Sequence, residues 1–362
     1  MMVQPSGPDQ IIVIGGGRWA QVMVGVLLNI APEGASIVVR SPRNASGMAA
    51  WLAGRKAADH VRVTEDWPQL VEGRSAAVIV VNAAKDHVPT IEWALEYGAA
   101  VLSEKPVALS EAALRALTAL AREKQASFYA ANVFLFARYV EALSQALSQA
   151  GPAREVRIRF EDPVAERRHG ENKRFDPALP VFMDWLPHCV SILGFLLGSQ
   201  QGECTDVAVY KGGAHVEVTL RWAGVPCSLT MIRNGETRRR VVELDTDKGP
   251  LSLDFSSEPG VLRRGGEAIV ADPLWDSAER PLARMLGVFL GRVGDDMDMP
   301  LRARLDIGIA LAACRIADQV KARYRQALTP WLAEKLTAGV ADADLQYALN
   351  ELAMSEALIL RD

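Results

Sequence analysis

The chain has 362 residues, 49% hydrophobic and 23% charged, and a formal net charge of −4. This length and composition indicate a globular protein with two domains and a large core. The weak negative charge gives no support for binding to nucleic acid or to a membrane surface. Four scattered cysteines without a C-x-x-C pair favour reduced thiols in a cytoplasmic protein over a disulfide framework or a metal site.

The segment 181–198 is the one stretch whose hydrophobicity approaches that of a membrane span. It contains Asp184 and His188, which the interior of a bilayer tolerates poorly. We therefore expect a buried helix that carries two polar groups. We expect neither a membrane segment nor an N-terminal targeting signal.

Short apolar strands alternate with helical patterns over the first 130 residues. The predicted strands are 11–14, 35–40, 76–81, 99–102 and 127–131, and the predicted helices are 19–30, 87–97 and 110–125. Continuous apolar strands alternating with helices indicate a parallel sheet covered on both faces. The sequence therefore predicts an α/β fold that begins with a Rossmann domain, residues 1–130, built on a doubly wound parallel sheet.

The pattern changes to period two after residue 151. Apolar and charged residues alternate around 156–160, and similar alternation returns between 207 and 253. Such strands predict a C-terminal α/β domain, residues 131–328, with a largely antiparallel open sheet. Helical patterns return at 281–293 and 305–328, and a C-terminal helical tail is expected at 329–362.

The strands of the second predicted sheet also lead to a prediction about the oligomeric state. These strands have an apolar face, and no helices follow them directly in the chain to cover it. An uncovered apolar sheet needs a partner. We therefore expect a homodimer or homotetramer formed through this sheet.

A glycine-rich turn follows the first predicted strand. Gly15, Gly17 and Ala20 fit the G-x-G-x-x-A form of the dinucleotide-binding fingerprint. Gly15 permits the tight turn, Gly17 lets backbone amides approach a pyrophosphate, and Ala20 lets the helix pack close to the strand. With Arg18 and Trp19, these residues form the predicted cofactor loop at a helix N-terminus. A purely structural glycine-rich turn is the alternative.

The second strand ends in Arg40, Ser41 and, two residues later, Arg43. NAD-binding units usually carry an acidic residue here, which binds the ribose 2′-hydroxyl. A guanidinium instead suits a 2′-phosphate through bidentate, charge-assisted hydrogen bonds. We therefore predict NADP(H) in preference to NAD(H). Two arginines on a solvated loop are the alternative.

A charged pair stopped by a proline, Glu104-Lys105-Pro106, stands just after the predicted strand 99–102. Charges at the carboxyl end of a strand lie where open α/β sheets bind ligands. The surrounding segment 94–110 closely matches the ALxxGKHVLCEKPLALS segment of the Gfo/Idh/MocA oxidoreductase family.

Two further segments resemble that family. Residues 77–87 resemble its third-strand segment, a strand and short loop that end in His87, and residues 183–188 match its Asp-x-x-x-His segment. The resemblance covers about residues 10 to 325. It implies a Rossmann domain, a second α/β domain whose open sheet often builds oligomers, and hydride transfer between a nicotinamide and a small substrate. The substrate is commonly a sugar, a cyclitol or a related polar molecule.

The resemblance also implies roles for individual residues. Lys105 would reach both the cofactor ribose and the substrate, and Glu104 would line the nicotinamide side. Asn82 and His87 would belong to the cofactor site. Asp184 and His188 would face the substrate carbon, with His188 the main candidate for proton donor or acceptor.

The chemistry of the residues agrees with these roles. Hydride transfer to a carbonyl or imine leaves charge on oxygen or nitrogen, which a positioned acid such as Lys105 or His188 must neutralise. Asp184 and His188 are four residues apart and share one face of a helix. Pro187 is compatible with a helix only in its first turn, so we expect the helix to begin just before it. A buried Asp–His hydrogen bond that only fixes the helix is the alternative.

Some residues depart from the family pattern. Phe134, Phe136, Phe182 and Trp185 stand near the expected site and predict a pocket less polar than one for free sugars. This keeps open an imine reductase of a biosynthetic pathway as one alternative. A non-catalytic cofactor-binding regulatory protein is a separate alternative, and the presence of Glu104, Lys105, Asp184 and His188 argues against it. The basic loop 166–174 could hold a carboxylate or phosphate, or it could be a solvated loop.

Overall fold

The computed structural model describes residues 7–57, 59–70, 75–164, 167–168, 171–172, 175–176, 178–291, 295–339 and 341–359. The chain forms two compact units, Met1–Phe136 with Glu279–Leu311, and Ala137–Ala278 with Ala312–Asp362. Sequence analysis divides the chain after residues 130 and 328 instead. The basic loop 166–174 lies largely outside the described residues.

The described elements are numbered along the chain. The helices are α1 (Arg18–Ile30), α2 (Ala45–Gly54), α3 (His87–Glu96), α4 (Glu111–Glu123), α5 (Arg138–Ala150), α6 (Val181–Leu197), α7 (Pro281–Phe289), α8 (Asp295–Arg302), α9 (Ile307–Thr337) and α10 (Ala343–Ile359). The strands are β1 (Gln10–Ile14), β2 (Ser36–Arg40), β3 (Val61–Thr64), β4 (Ala76–Val80), β5 (Ala100–Ser103), β6 (Phe128–Ala130), β7 (Ala153–Pro163), β8 (Arg167–Arg168), β9 (Glu171–Asn172), β10 (Gly202–Tyr210), β11 (His215–Trp222), β12 (Val225–Gly235), β13 (Arg239–Thr246), β14 (Leu251–Asp254), β15 (Val261–Arg264) and β16 (Glu267–Val270).

The first unit is built on a parallel six-stranded sheet in the order β3-β2-β1-β4-β5-β6. All five residues of β1 are buried, as expected for a strand covered on both faces. Ser110 caps α4, since its hydroxyl accepts a hydrogen bond from the amide of Ala113 at 3.3 Å. The predicted Rossmann fold is confirmed.

In the part of this unit before residue 136, the sequence does not predict α2 or β3. The helix α2 is rich in alanine and glycine and buries only Met48 and Leu52, so it lacks an apolar stripe at helical spacing. The strand β3 has four residues at the edge of the sheet, and only Val61 is buried. Neither element therefore carries the periodicity on which sequence prediction depends.

The second unit contains an eight-stranded sheet in the order β10-β11-β12-β7-β13-β14-β15-β16. Its pairs are antiparallel except for β7 with β12, which is parallel. This confirms the largely antiparallel sheet predicted from the alternating pattern. The helix α6 packs on β7, β11 and β12, and α5 packs on β14 and β15.

The two faces of this sheet differ in burial and polarity, as β11 shows. Val216, Val218, Leu220 and Trp222 are buried, whereas the alternating residues Glu217, Thr219 and Arg221 are exposed. The expectation of an uncovered apolar face is therefore wrong, because α5 and α6 cover that face and the other one is polar. The homodimer or homotetramer stays a prediction, which light scattering can test, and any such contact through the open face would be polar.

The C-terminal helices continue where a break is expected. The helix α9 runs from Ile307 through Pro330 to Thr337, whereas the sequence predicts an end near residue 328. Proline removes one helical hydrogen bond, a loss that this 31-residue helix absorbs because Tyr324 and Leu328 anchor it in the core. The following helix α10 packs on the short turn Lys211–Gly213.

Candidate active site

The turn after β1 depends on its first two glycines. Gly15 has a φ of +147°, and a Cβ there would lie 2.8 Å from the carbonyl carbon and oxygen of Val81. A Cβ on Gly16 would lie 1.7 Å from the hydroxyl oxygen of Ser41. Only glycine allows the turn to pass this close to the ends of β2 and β4.

Gly17 is different, because a Cβ there would meet no atom within 4 Å. It is the N-cap of α1, whose first turn has neither a side-chain cap nor an acidic residue. The free N–H groups of a helix N-terminus favour an anion. Ala20 is fully buried against the sheet and Trp19 is 40% exposed. The loop therefore suits a pyrophosphate, as the fingerprint predicts.

Asn44 supports this loop and is missed by sequence analysis. Its side-chain amide donates a hydrogen bond to the carbonyl oxygen of Gly16 at 2.7 Å. Its place just before α2 suggests an N-cap, but its side chain does not cap that helix. The amide therefore fixes the glycine turn instead of the helix that follows it.

The end of β2 holds Arg40 and Ser41 in different environments. The guanidinium of Arg40 lies 3.8 Å from the ring centroid of Trp67, which sequence analysis does not connect to the site. Burial lowers the pKa of Arg40 from its ordinary value, while Asp66 acts in the opposite direction. Ser41 is 1% exposed. Arg40 Nε and Ser41 Oγ have no hydrogen-bond partner among the described residues, so both can serve a ligand.

Arg43 forms an ion pair that the sequence does not predict. Its Nη2 lies 3.3 Å from Oδ2 of Asp86, and both side chains are largely exposed, at 74% and 42%. An exposed pair of this kind contributes little to stability. Arg43 can therefore exchange Asp86 for a stronger anion such as a phosphate.

His87 is buried and bridges two segments of the first unit. Its Nδ1 lies 2.8 Å from the carbonyl oxygen of Pro106, and its Nε2 lies 3.2 Å from that of Asn82. Burial lowers the pKa of His87, although both carbonyl contacts act in the opposite direction. Because both ring nitrogens face backbone carbonyls, His87 holds the Glu104–Pro106 segment to the end of β4. These contacts are structural, and the place of His87 in the cofactor site stays a prediction.

Asn82 lies at the end of β4 and is half-buried. Its Nδ2 donates to the hydroxyl of Thr90 at 2.9 Å and to the carbonyl oxygen of Asp86 at 3.3 Å. Its Oδ1 is buried and has no hydrogen-bond partner among the described residues. That oxygen is an acceptor at the carboxyl edge of the sheet, where the cofactor is expected.

The charged pair follows β5 as the sequence predicts. The amide of Glu104 donates to the carbonyl oxygen of Val80 at 2.9 Å, which continues the pairing of β5 with β4. Glu104 is 8% exposed, and its Oε2 accepts from the amide of Lys105 at 3.2 Å. Lys105 is half-buried and is joined to Pro106 by a cis peptide bond. Both side chains thus leave the sheet at its ligand-binding edge.

In the second unit, the first eight residues of α6 are buried except at three positions. Asp184, Pro187 and His188 are half-buried, whereas the other five are buried. The spacing of these three puts them on one face of the helix. The prediction that Asp184 and His188 share a face is therefore confirmed.

The expected position of Pro187 is wrong. The helix begins at Val181, so Pro187 lies in its second turn. Interior proline costs about 3 kcal/mol, but α6 buries twelve residues, most of them large and apolar. At about 1.5–3 kcal/mol for each large apolar side chain, that burial outweighs the cost.

Asp184 has a buried partner that sequence analysis misses. Nη2 of Arg233 lies 3.1 Å from Oδ2 of Asp184, and the Arg233 side chain is 3% exposed. Burial alone would lower the pKa of Arg233, but Asp184 and Tyr347 raise it. One signal was available: Arg233 follows Leu229 and Met231 on the inward-facing phase of β12.

Three of the four aromatic residues expected near the site are buried. Phe136 and Phe182 are fully buried and Trp185 is 5% exposed. Phe182 packs on Tyr324 with ring centroids 5.1 Å apart, and Trp185 packs against Phe160 at 6.2 Å. These three side chains belong to the cores of their units. Phe134 alone is half-buried.

Comparison with known proteins agrees with this description. The Gfo/Idh/MocA oxidoreductase family, described by its NAD-binding Rossmann fold, matches residues 10–132. No curated protein sequence gives a significant match. Within the described residues, no helix combines the length and the hydropathy needed to cross a membrane.

Three solved structures resemble the chain. UDP-N-acetylglucosamine 3-dehydrogenase GnnA from Acidithiobacillus ferrooxidans is 20% identical with a TM-score of 0.68, and the match covers 88% of this chain and 99% of that chain. The 3-ketoreductase KijD10 from Actinomadura kijaniata, in complex with TDP-benzene and NADP, is 19% identical with a TM-score of 0.66, over 87% and 97%. Biliverdin reductase from Synechocystis sp. PCC 6803, in complex with biliverdin and NADP+, is 20% identical with a TM-score of 0.65, over 87% and 99%. At these identities the likeness establishes the fold.

The family match spans both the glycine turn and the Glu104–Lys105 segment. The resemblance seen in the motifs of residues 10–132 is thereby confirmed. Residues 10–132 match the Gfo/Idh/MocA oxidoreductase family, which is described by an NAD-binding Rossmann fold, and the chain is an NAD(P)-dependent oxidoreductase.

Proposed function

We propose that this protein is an NADP(H)-dependent oxidoreductase that transfers a hydride between the nicotinamide and a carbonyl or alcohol carbon of a small polar metabolite. The observation that carries the proposal is the half-exposed face of α6, where Asp184 and His188 interrupt an otherwise buried surface. A helix that served only the core would place apolar residues at these positions.

The first unit offers residues suited to hold the cofactor. The amides at Gly17, Arg18 and Trp19 and the dipole of α1 would hold the pyrophosphate. Arg40, Ser41 and Arg43 would hold the 2′-phosphate, and Asn82 and Glu104 would line the nicotinamide side. When bound, the nicotinamide supplies or accepts the hydride.

Lys105 and His188 are the proposed proton donor and acceptor. Reduction of a carbonyl places negative charge on its oxygen, and either an ammonium or an imidazolium can neutralise it by giving a proton. In the reverse direction the same groups accept the hydroxyl proton. Asp184, paired with Arg233 at 3.1 Å, provides a fixed carboxylate on the same helix face as His188.

A polar substrate is favoured over an imine with a large apolar body. The imine alternative depended on four aromatic side chains, of which Phe136, Phe182 and Trp185 are buried in the core. Two of the similar structures are a UDP-N-acetylglucosamine 3-dehydrogenase and a 3-ketoreductase bound to TDP-benzene. We therefore propose a sugar-like or cyclitol-like alcohol or ketone as the substrate class.

The preference for NADP(H) also stays a proposal. It is supported by the two arginines after β2 and by the NADP bound in two of the similar structures. The four buried, unbridged cysteines fit a reducing, cytoplasmic location.

Oxidation of NADPH by the purified protein tests the function. The substrates to compare are keto-sugars, sugar-nucleotide ketones, cyclic ketones and cyclic imines, each at the same concentration. We expect turnover with at least one polar ketone and little with the imines. Tight NADPH binding without turnover of any compound would favour the non-catalytic regulatory protein, and turnover confined to the imines would reverse the proposed substrate class.

A further inference from the structure

The C-terminal helix α10 has a buried stripe that includes two polar residues. Leu345 and Ala348 are buried, and so are Glu351 and Ser355, at 4% and 0% exposure. Polar groups this deeply buried are costly unless they have partners. Their contacts therefore indicate what α10 holds in place.

One of these contacts lies at the start of α6. The hydroxyl of Ser355 donates to the carbonyl oxygen of Ala178 at 3.1 Å. The carbonyl oxygen of the next residue, Leu179, accepts a hydrogen bond from Nη1 of Arg233 at 2.6 Å. The two residues that lead into α6 are thus held by α10 and by β12.

Arg233 extends this connection to the candidate site. Its other terminal nitrogen, Nη2, donates to Asp184 at 3.1 Å. The guanidinium also lies 4.5 Å from the ring centroid of Phe175, and the Phe175 ring is 6.4 Å from that of Tyr347 on α10. A single buried cation therefore joins Asp184 to the residues that α10 contacts.

Glu351 brings a second carboxyl group close to this cation. It accepts a hydrogen bond from the hydroxyl of Tyr324 on α9, and its Oε2 has no hydrogen-bond partner among the described residues. Burial raises the pKa of Glu351 to about 7, while Tyr324, Arg233 and Tyr347 act in the opposite direction. These three are the titratable groups that bear on it, from α9, β12 and α10 itself.

The charges of the cluster have a simple consequence. Arg233 and Asp184 balance each other when Glu351 is protonated. Ionised Glu351 is a second buried anion attracted to the same guanidinium, so it competes with Asp184. The protonation state of Glu351 is therefore coupled to how firmly Arg233 holds Asp184.

We propose that α10 is a positioning element for the face of α6 that carries Asp184 and His188, and that Glu351, Tyr347 and Arg233 are the positioning residues through which it acts. The proposal rests on the proposed function for its catalytic consequence. Its structural content, that changes in α10 reach His188, does not depend on that function.

The first test measures His188 directly and needs no substrate. The full-length protein is labelled with 15N-histidine, and the ring signals of His188 are assigned with His188→Asn. We expect Glu351→Gln, Tyr347→Phe and Arg233→Lys to move these signals, whereas Met354→Gln, a change at a 50% exposed position of the same helix, leaves them in place. Unchanged His188 signals in all three folded variants would overturn the proposal.

The second test uses turnover with a substrate identified by the NADPH assay. We expect Glu351→Gln and Tyr347→Phe to change kcat by about 3- to 30-fold, with the dissociation constant for NADPH unchanged. In wild type, kcat should decline as Glu351 ionises near pH 7, and Glu351→Gln should lack that decline. Identical pH profiles would overturn the proposal. Absence of turnover in the wild type would contradict the proposed function and leave the NMR result to decide this one.

Discussion

The cofactor end of the first unit and the helix α6 of the second are stabilised in different ways. The glycine turn is held largely by backbone: Gly15 donates to the carbonyl oxygen of Arg40 at 3.0 Å and passes close to Val81. Asp184 is held by the side chain of Arg233, 49 residues further along the chain. A site held by backbone contacts tolerates few residue types, so it can be recognised from a short stretch of sequence. A site held by side chains that are distant in the chain has almost no such local pattern.

The largest effects on activity are expected from removing the proposed proton-transfer groups. We expect Lys105→Met and His188→Asn each to slow hydride transfer by about 10²–10⁴-fold, with little loss of NADPH affinity. Single-turnover rates at saturating NADPH provide the measurement. The double mutant should lose less than the product of the singles because both groups serve one proton transfer. Asp184→Asn should cost less than His188→Asn.

Wild-type rates in both single mutants would assign these residues a purely structural role. The matched control is His215→Asn, on β11 in the second unit, where His215 faces Glu217 at 3.1 Å. That substitution should leave the single-turnover rate unchanged.

The cofactor preference should depend on side chains at the end of β2. We expect Arg40→Ala to reduce the affinity for NADPH relative to NADH by about 10- to 100-fold, because a charge-assisted hydrogen bond contributes ~1.5–3 kcal/mol. Titration of both cofactors measures the ratio. Arg62→Ala, which removes an exposed arginine of β3, is the control. An unchanged ratio in Arg40→Ala would place the 2′-phosphate elsewhere.

Two neighbouring glycines should respond in opposite ways to the same substitution. Gly15→Ala forces a Cβ against Val81 at a φ of +147°, and we expect it to destabilise the fold by about 1–3 kcal/mol. Gly17→Ala meets no atom of the protein, so its stability should stay within about 0.5 kcal/mol of wild type. Its NADPH affinity should nevertheless fall, since the Cβ enters the space proposed for the pyrophosphate. Equal affinity in Gly17→Ala and wild type would argue against that placement.

The buried carboxyl group of α10 should make the stability of the fold depend on pH. The pKa of Glu351 is raised from 4.5 to about 7 in the folded protein, so the folded state binds its proton more tightly than the unfolded state does. This stabilisation is complete below pH 4.5 and is lost as the pH rises through about 7. Relative to Glu351→Gln, the free energy of unfolding of wild type should fall by about 1.4 kcal/mol for each unit of pKa shift between pH 5 and pH 8, measured by urea denaturation at both pH values. The same difference in free energy of unfolding between wild type and Glu351→Gln at both pH values would contradict the raised pKa.

Prediction from sequence succeeds where local pattern decides the structure. The five buried residues of β1, the glycines after it and Ser110 at the start of α4 each carry their signal within a few neighbours. Prediction from sequence fails where the burial of side chains elsewhere in the fold determines whether a helix continues. Pro187 and Pro330 are local stop signals, yet both lie inside helices. Buried side chains on both sides of Pro187, and Tyr324 and Leu328 before Pro330, outweigh one lost hydrogen bond.

The candidate site follows the same division. Lys105, Asp184 and His188 stand in recognisable motifs, whereas Asn44, Trp67 and Arg233 are defined by partners far away in sequence. Arg233 could have been suspected from its inward phase on β12, but nothing local names Asp184 as its partner. Trp67 follows β3, a strand too short and too exposed to predict, so its contact with Arg40 could not be anticipated.

The proline in the second turn of α6 changes what that helix can offer a ligand. Since Pro187 has no N–H, the carbonyl oxygen of Met183 does not receive the helical hydrogen bond that any other residue at that position would donate. An acceptor is thereby released beside Asp184 and His188 whose direction is set by the helix axis and not by a side-chain rotamer. Any donor that reached this oxygen would be oriented with no loss of side-chain entropy.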